Sequence, residues 1–381
     1  MAKKLFLLFI LPLRLFSQPI PQPNKVVVVI LENHSYQYII DSTYAPYIDS
    51  IAGAGALFSD YHGLGYPSQP NYIKLFSGSD QGIIDDDFPL GLLPFSTPNL
   101  ASSLIDSGFT FKGYAEDLPD PGAIISWSTG NYYFKHTPWP CWQGPFPAQH
   151  QLPEEDSLNL PFTYFPSDYD SLPDLCFVIP NADNNMHDGP DPLRITIGDD
   201  WIRSNLSGYI NWCQANNSLF ILTFDEDDGN SQNRVPLIIY GPSLVVQGVY
   251  PNYHDHYGLL CTLEDMFSLP YIGNDSLASC IHECWQPVGV PETDNQILNV
   301  SIIPNPVSSS TNVTISYSGK QGKAKIILED QFGKKVKELQ LEIKNSKGQL
   351  NLKNKNFAKG IYFLTVYIDD QFYKTEKIIF E

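Results

Sequence analysis

Positive charge is scarce in this chain. Its 381 residues carry 23 Lys+Arg against 42 Asp+Glu, a formal net charge of −19. The scarcity is local, because residues 299–381 hold 13 lysines and 8 acidic side chains, leaving residues 1–298 with 10 basic and 34 acidic ones. So acidic a body repels a nucleic-acid backbone, and no basic stripe with interleaved aromatics offsets it, so nucleic acid is not an expected partner. Cations are attracted instead. After the N-terminus no apolar run is long enough to span a bilayer, and no permanent membrane anchor is expected. A CxxC pair is missing, which removes the zinc-knuckle reading, and there is no internal repeat. Hydrophobic residues still make up 43% of the chain and aromatics 13%, the composition of a folded globular protein.

The first seventeen residues stand apart. Lys3 and Lys4, the apolar stretch Leu5–Leu13 (interrupted next by Arg14) and the small residue Ser17 predict a signal peptide over 1–17, cleaved after Ser17. Six cysteines in an exported chain allow up to three disulfides, with Cys280 and Cys284 close enough to pair in a loop. Cys176, Cys213 and Cys261 sit in apolar elements and read as small buried hydrophobes.

Residues 25–285 alternate strand and helix signals. Lys25–Leu31 (KVVVVIL) is a β-branched run of the kind found in a central parallel strand covered on both faces. Further strands are expected at Phe109–Ala115, Leu175–Pro180, Leu219–Phe224 and Val235–Tyr240. Helices are expected at Ala45–Leu57, Pro70–Phe76, Asn99–Asp106, Asp199–Gln214 and His256–Phe267. This is an α/β pattern with a mostly parallel sheet, in which ligands bind at the C-terminal strand ends. The segment 117–174, rich in Pro, Trp and Tyr, reads as a long functional loop. A linker over 286–297 leads to short alternating strands over 298–381, an all-β module expected to form a small sandwich.

Residues able to carry chemistry fall where the strands end. The first strand runs into Glu32 and Asn33, whose hard oxygen donors suit a divalent cation. Ser68 precedes Pro70 at a helix start, where free amides and the helix dipole favour a phosphate. Asp225 and Glu226 end another apolar strand. Asp183 with His187, or His187 with Asp188, follow a third, and His256 opens a helix. Any one of these has an ordinary explanation as a cap or surface turn. Their convergence on one sheet edge points to a shared site.

The segments ENHSY (32–36), PSQPNYIKLFSG (67–78), PNADNNMHD (180–188), GDDW (198–201), TFDEDDG (223–229), VPLIIYGP (235–242) and HYGLLCTLEDMF (256–267) resemble, in order, the phosphoesterase family. That family unites secreted acid phosphatases with bacterial phospholipases C and belongs to the alkaline phosphatase superfamily. The resemblance implies an alkaline-phosphatase-like fold, one or two divalent cations, and a small phosphorylated substrate. It assigns Glu32, Asn33, Ser68, Asp225 and Glu226 to metal and nucleophile positions, and His187 and His256 to histidines around the site. Asp183, Asp188, His187 and His256 are the candidates for a second cation. Lys135 and His136 correspond to pocket residues, and Lys74 is a further candidate for holding phosphoryl oxygens. Asn185 stands where relatives usually carry Asp. Residues 303–306 (IPNP), Gly333 and the ending 359–380 resemble the type IX secretion sorting domain, which implies export to the cell surface or beyond through that machinery. The expected activity is a metal-dependent phosphomonoesterase acting through a phosphoserine. The alternatives are a phospholipase C-type phosphodiesterase and an inactive exported binding protein. No Cys or Ser stands in the Cys-x-Pro-x-Arg context that sulfatases require.

Overall fold

The computed structural model describes residues 20–125, 130–144, 150–153, 158–286, 298–317, 321–331, 334–344, 346–368 and 371–381. The expected signal peptide, and the expected linker apart from Gln286, lie outside these residues. The chain divides into two compact units, Met1–Pro287 and Val288–Glu381.

In the first unit the order of elements is β1 (Val26–Leu31), α1 (Tyr36–Ile39), α2 (Pro46–Ala54), β2 (Ala56–His62), α3 (Ser68–Ser77), α4 (Leu100–Asp106) and β3 (Phe111–Ala115). There follow three short strands, β4 (Gln143–Gly144), β5 (Leu152–Pro153) and β6 (Asn159–Pro161), then β7 (Leu175–Ile179) and α5 (Leu193–Cys213). The unit closes with β8 (Leu219–Phe224), β9 (Arg234–Tyr240), β10 (Gly248–Tyr250), β11 (His254–Asp255) and α6 (His256–Met266). The main sheet runs β10-β2-β9-β8-β1-β7-β3-β6, with β11 continuing beside β2. Only β9 is antiparallel to its neighbours β2 and β8; the other pairings are parallel.

The expected mostly parallel α/β sheet is therefore present, and its central strands are buried on both faces. β1, β7 and β8 are buried at every position. Helix α2 packs with α5, and α3 with α4 and α6. Because these strands run the same way, the chain leaves β1, β2, β7 and β8 on one edge, and the residues that follow them meet there.

The sequence expectation missed β2. The helix expected over Ala45–Leu57 takes in its first two residues and Phe58–His62 has no expected element, whereas the helix stops at Ala54 and the chain turns at Gly55 into the sheet. A Cβ on Gly55 would lie 2.6 Å from the carbonyl oxygen of Ile239, so only glycine allows this approach to β9.

In the second unit, β12 (Leu298–Ile303), β13 (Ser310–Tyr317), β14 (Gln321–Asp330), β15 (Lys335–Lys344), β16 (Lys347–Lys353), β17 (Gly360–Ile368) and β18 (Gln371–Phe380) form one antiparallel path, β12-β13-β16-β15-β14-β17-β18. Its two ends come together, so the sheet folds over a core that includes Val313, Ile315, Ile326, Leu364, Val366 and Ile378. Alternation of apolar and polar residues along each strand buries one face and leaves the lysines of the other in water.

Candidate active site

Glu32, at the end of β1, is fully buried and sits at the centre of a carboxylate cluster. Its Oε2 accepts from the Ser68 hydroxyl at 3.1 Å and from Asn33 Nδ2 at 3.1 Å, and its Oε1 accepts from the Tyr72 hydroxyl. Asn33 adopts a left-handed backbone (φ 54°), tolerated by Asn, which also turns its N–H onto Asp225 Oδ1 at 3.1 Å. Asp225 and Glu226 leave β8 beside it, and Asn71 Nδ2 holds Glu226 Oε2 at 3.0 Å. Gly63, where the chain leaves β2, permits this crowding. A Cβ there would stand 2.6 Å from the Asp225 carbonyl oxygen.

Three buried carboxylates so close together resist ionisation. Burial and the Asp225 charge hold Glu32 well above the usual carboxylate range. Burial pushes Asp225 up to about 6, although the Ser68 hydroxyl and the Asn33 amide favour its anion. Burial, Asp225 and then Asp86 push Glu226 up to about 9. Asp225 Oδ2 is buried without a hydrogen-bond partner. A set of oxygens with excess negative charge and an unfilled buried acceptor fits a hard divalent cation.

Ser68 is the first residue of α3 and is buried. The next amide, Gln69 N–H, donates to Asp86 Oδ1 at 2.9 Å, and Lys135 Nζ lies 2.7 Å from Asp86 Oδ2. Lys135 also reaches His187 Nε2 at 3.3 Å. His187 Nδ1 is 2.6 Å from Asp188 Oδ1, which makes Nδ1 the protonated nitrogen and leaves Nε2 as the acceptor from Lys135. Burial lowers the His187 pKa, against the pull of Asp188. His136 is buried, with Nδ1 3.2 Å from the Asn185 amide nitrogen and Nε2 3.2 Å from Glu32 Oε1. Burial, with Lys135 and His187 adding to it, lowers the His136 pKa well below the ordinary value. Ligand atoms of Glu32, His136 and His187 all lie within 4.8 Å of one another.

Residues 40–270 match the model of the Phosphoesterase family, and residues 301–381 match the Secretion system C-terminal sorting domain. Over 273 residues the chain is 40% identical to a phosphatidylinositol-3-phosphatase of Mycobacterium tuberculosis, covering 71% of this chain and 86% of that protein. The chain belongs to the phosphoesterase family. An acid phosphatase of Aspergillus fumigatus is 26% identical over 303 residues, 75% of this chain and 65% of its own. Among solved structures, a protein of the alkaline phosphatase superfamily from Vibrio parahaemolyticus aligns with a TM-score of 0.47 at 10% identity, over 96% of this chain and 85% of that one.

Not every residue singled out in this phosphoesterase reaches the cluster. His256 is buried and fully engaged. Nε2 lies 2.7 Å from the Asp225 carbonyl oxygen, so it carries the proton, and Nδ1 accepts from the Tyr61 hydroxyl at 2.8 Å. Burial takes its pKa down to about 4. It fixes the backbone of Asp225, and neither nitrogen is free to serve a leaving group. Lys74 Nζ leans on the Leu64 carbonyl at 3.5 Å, and its charge acts on His256. Asp183 is exposed and bound to Asn131 at 2.7 Å. The four residues considered for a second cation are thus not gathered, and Glu32, His136 and His187 are grouped instead. The expected pocket residue His136 is a direct neighbour of Glu32.

Sequence reasoning passed over Asp86, Tyr72, Asn71 and Gln69. The last three lie in the quoted PSQPNY segment, where polar side chains at buried helix positions were the available signal. Cysteine pairing also differs from the expectation: Cys261 bonds Cys280, tying α6 to the loop beyond it, while Cys284 is a buried free thiol.

Proposed function

We propose that this chain is a secreted, metal-dependent phosphomonoesterase that uses Ser68 as its nucleophile. The observation that carries the reading is the Ser68 hydroxyl at the N-terminus of α3, hydrogen-bonded to Glu32 within a buried carboxylate cluster that has an unfilled acceptor on Asp225. A divalent cation held by Glu32, Asn33, Asp225 and Glu226, with Ser68, would favour the serine alkoxide and neutralise phosphoryl charge.

The rest follows from the chain's own groups. Ser68 Oγ attacks phosphorus in line, forming the Oγ–P bond as the bond to the leaving alkoxide breaks. Gln69 N–H and Lys135 hold the phosphoryl oxygens. His187, oriented by Asp188, supplies the proton that the leaving alkoxide takes, and after that is the base for the water that hydrolyses the phosphoserine. His256 positions Asp225 through its backbone. The lowered His187 pKa favours turnover at acid pH, since this step needs the imidazolium. The relatives named above are phosphatases, which supports a monoesterase over a phospholipase C-type diesterase. The grouping of Glu32, His136 and His187 supports a second cation as the alternative to this proton transfer, since a cation on His187 Nε2 would exclude its proton, and metal stoichiometry would test it. Export rests on the sorting domain at 301–381 together with the signal-peptide pattern at 1–17.

The test compares p-nitrophenyl phosphate with bis-p-nitrophenyl phosphate for the wild type, Ser68→Ala and chelator-treated protein. Monoester turnover lost on both treatments is the expected result. Diester-only turnover would move the chain to the phospholipase branch, and no turnover with metals resupplied would favour a binding protein.

A further inference from the structure

Two donors that a docked phosphoryl group needs are already holding a carboxylate. Gln69 N–H gives 2.9 Å to Asp86 Oδ1, and Lys135 Nζ stands 2.7 Å from Asp86 Oδ2. The two oxygens of one side chain span the amide next to Ser68 and the neighbouring ammonium, as two phosphoryl oxygens would. The slot beside the nucleophile is filled by the protein itself.

The backbone around Asp86 is held independently of that contact. Gln69 is buried, and the carbonyl oxygens of Asp85 at 3.2 Å and Asp87 at 2.9 Å assign its side-chain amide the orientation in which the nitrogen donates to both. The Asp86 side chain is 32% exposed. Its carboxylate can therefore leave by rotating about its own side-chain bonds while the loop stays pinned on either side. No lid has to open.

We propose that Asp86 is an internal competitor for the phosphoryl slot, an autoinhibitory contact that any phosphate or phosphate ester must displace to reach Gln69 N–H and Lys135. The inference rests on Ser68 being the nucleophile. A monoester dianion brings two charges and three unesterified oxygens to donors that the carboxylate serves with one charge and two oxygens. It displaces Asp86. A diester brings one charge and two such oxygens and must displace the same carboxylate, so removing Asp86 helps both esters by the same factor.

The experiment uses the full chain with Asp86→Asn, which keeps an acceptor for Gln69 N–H but removes the charge, and with Asp86→Ala, which removes both. Inorganic phosphate is the probe, as an inhibitor of p-nitrophenyl phosphate turnover. Its inhibition constant should fall about tenfold, the scale of one charge-assisted contact, and KM for the monoester should fall with it. The kcat/KM ratio of bis-p-nitrophenyl phosphate to p-nitrophenyl phosphate should stay within about twofold, because both esters displace the same carboxylate. Unchanged phosphate inhibition in both variants overturns the inference, and so does a loss of kcat with inhibition unchanged, which would make Asp86 a positioning residue for Lys135. Turnover retained by Ser68→Ala would overturn the nucleophile assignment, a separate failure.

Discussion

Asp225→Asn should stabilise the cation-free protein while destroying its response to cations. Asp225 is buried, and its pKa stands at about 6 instead of the ordinary 3.8. That difference of about 2 units corresponds to about 3 kcal/mol of stability lost when the group ionises in the fold. The sign follows from proton binding. Above the unfolded value the folded state holds the proton more tightly, so stability declines as pH rises from about 4 through about 6 and stays low beyond. Asn keeps an oxygen for the Asn33 N–H, and the His256 bond goes to the main chain, so neither contact is forfeited. Without the Asp225 charge, Glu32 and Glu226 are also relieved of a repulsion. In chelator at pH 8 the first unit should melt about 6 °C higher in the variant, and the gain should vanish near pH 4. Adding a divalent cation should raise the melting temperature of the wild type but barely move the variant. Differential scanning fluorimetry with and without chelator at the two pH values reads all four cases. A variant that melts below wild type in chelator at pH 8 would refute the claim that carboxylate repulsion is built into this site.

Ser68→Ala should lower monoester kcat by a factor of about 10³ or more while leaving the melting temperature within a few degrees, as checked by stopped assays and calorimetry. Asp188→Asn removes the anion that favours protonated His187, so the pH–kcat profile should move toward lower pH; a shift to higher pH would contradict the hydrogen bond at 2.6 Å. In Gly113→Ala a new Cβ would stand 2.0 Å from the ring of buried Trp139, and a loss of about 3 kcal/mol is expected in urea unfolding. Removing the Cys261–Cys280 bond with a pair of serines releases a loop of sequence separation 19 and should cost about 3 kcal/mol in the same measurement.

Much of the sheet edge was legible because apolar β-branched runs end abruptly in acidic residues. Glu32 after β1 and Asp225-Glu226 after β8 follow from that pattern, since a charge beside a buried strand needs a reason. Other parts depended on distances that no local pattern encodes. Asp86 lies in a run of three aspartates that reads as a solvated turn, and only the fold brings its middle member to Lys135, 49 residues further on. His256 looked like an acid because it opens a helix near the motif residues; the partners that occupy both its nitrogens, Tyr61 and Asp225, are 195 and 31 residues away in the chain. The strand β2 was hidden because ALFSDYH alternates poorly and follows a helix with one intervening glycine. Spacing favoured Cys280 with Cys284, while the fold lays Cys261 on α6 beside Cys280.

Glu32 meets Ser68 across 36 residues, and Asn33 meets Asp225 across 192. A site assembled from such distant pieces has no partial form, because a chain truncated before β8 lacks Asp225 and Glu226 altogether. Its contacts are of high sequence separation, and the entropy of closing those loops must be met before any of them forms. In a refolding experiment, recovery of activity should therefore coincide with the last global step seen by tryptophan fluorescence, with no early burst, so that turnover itself becomes a probe of complete folding.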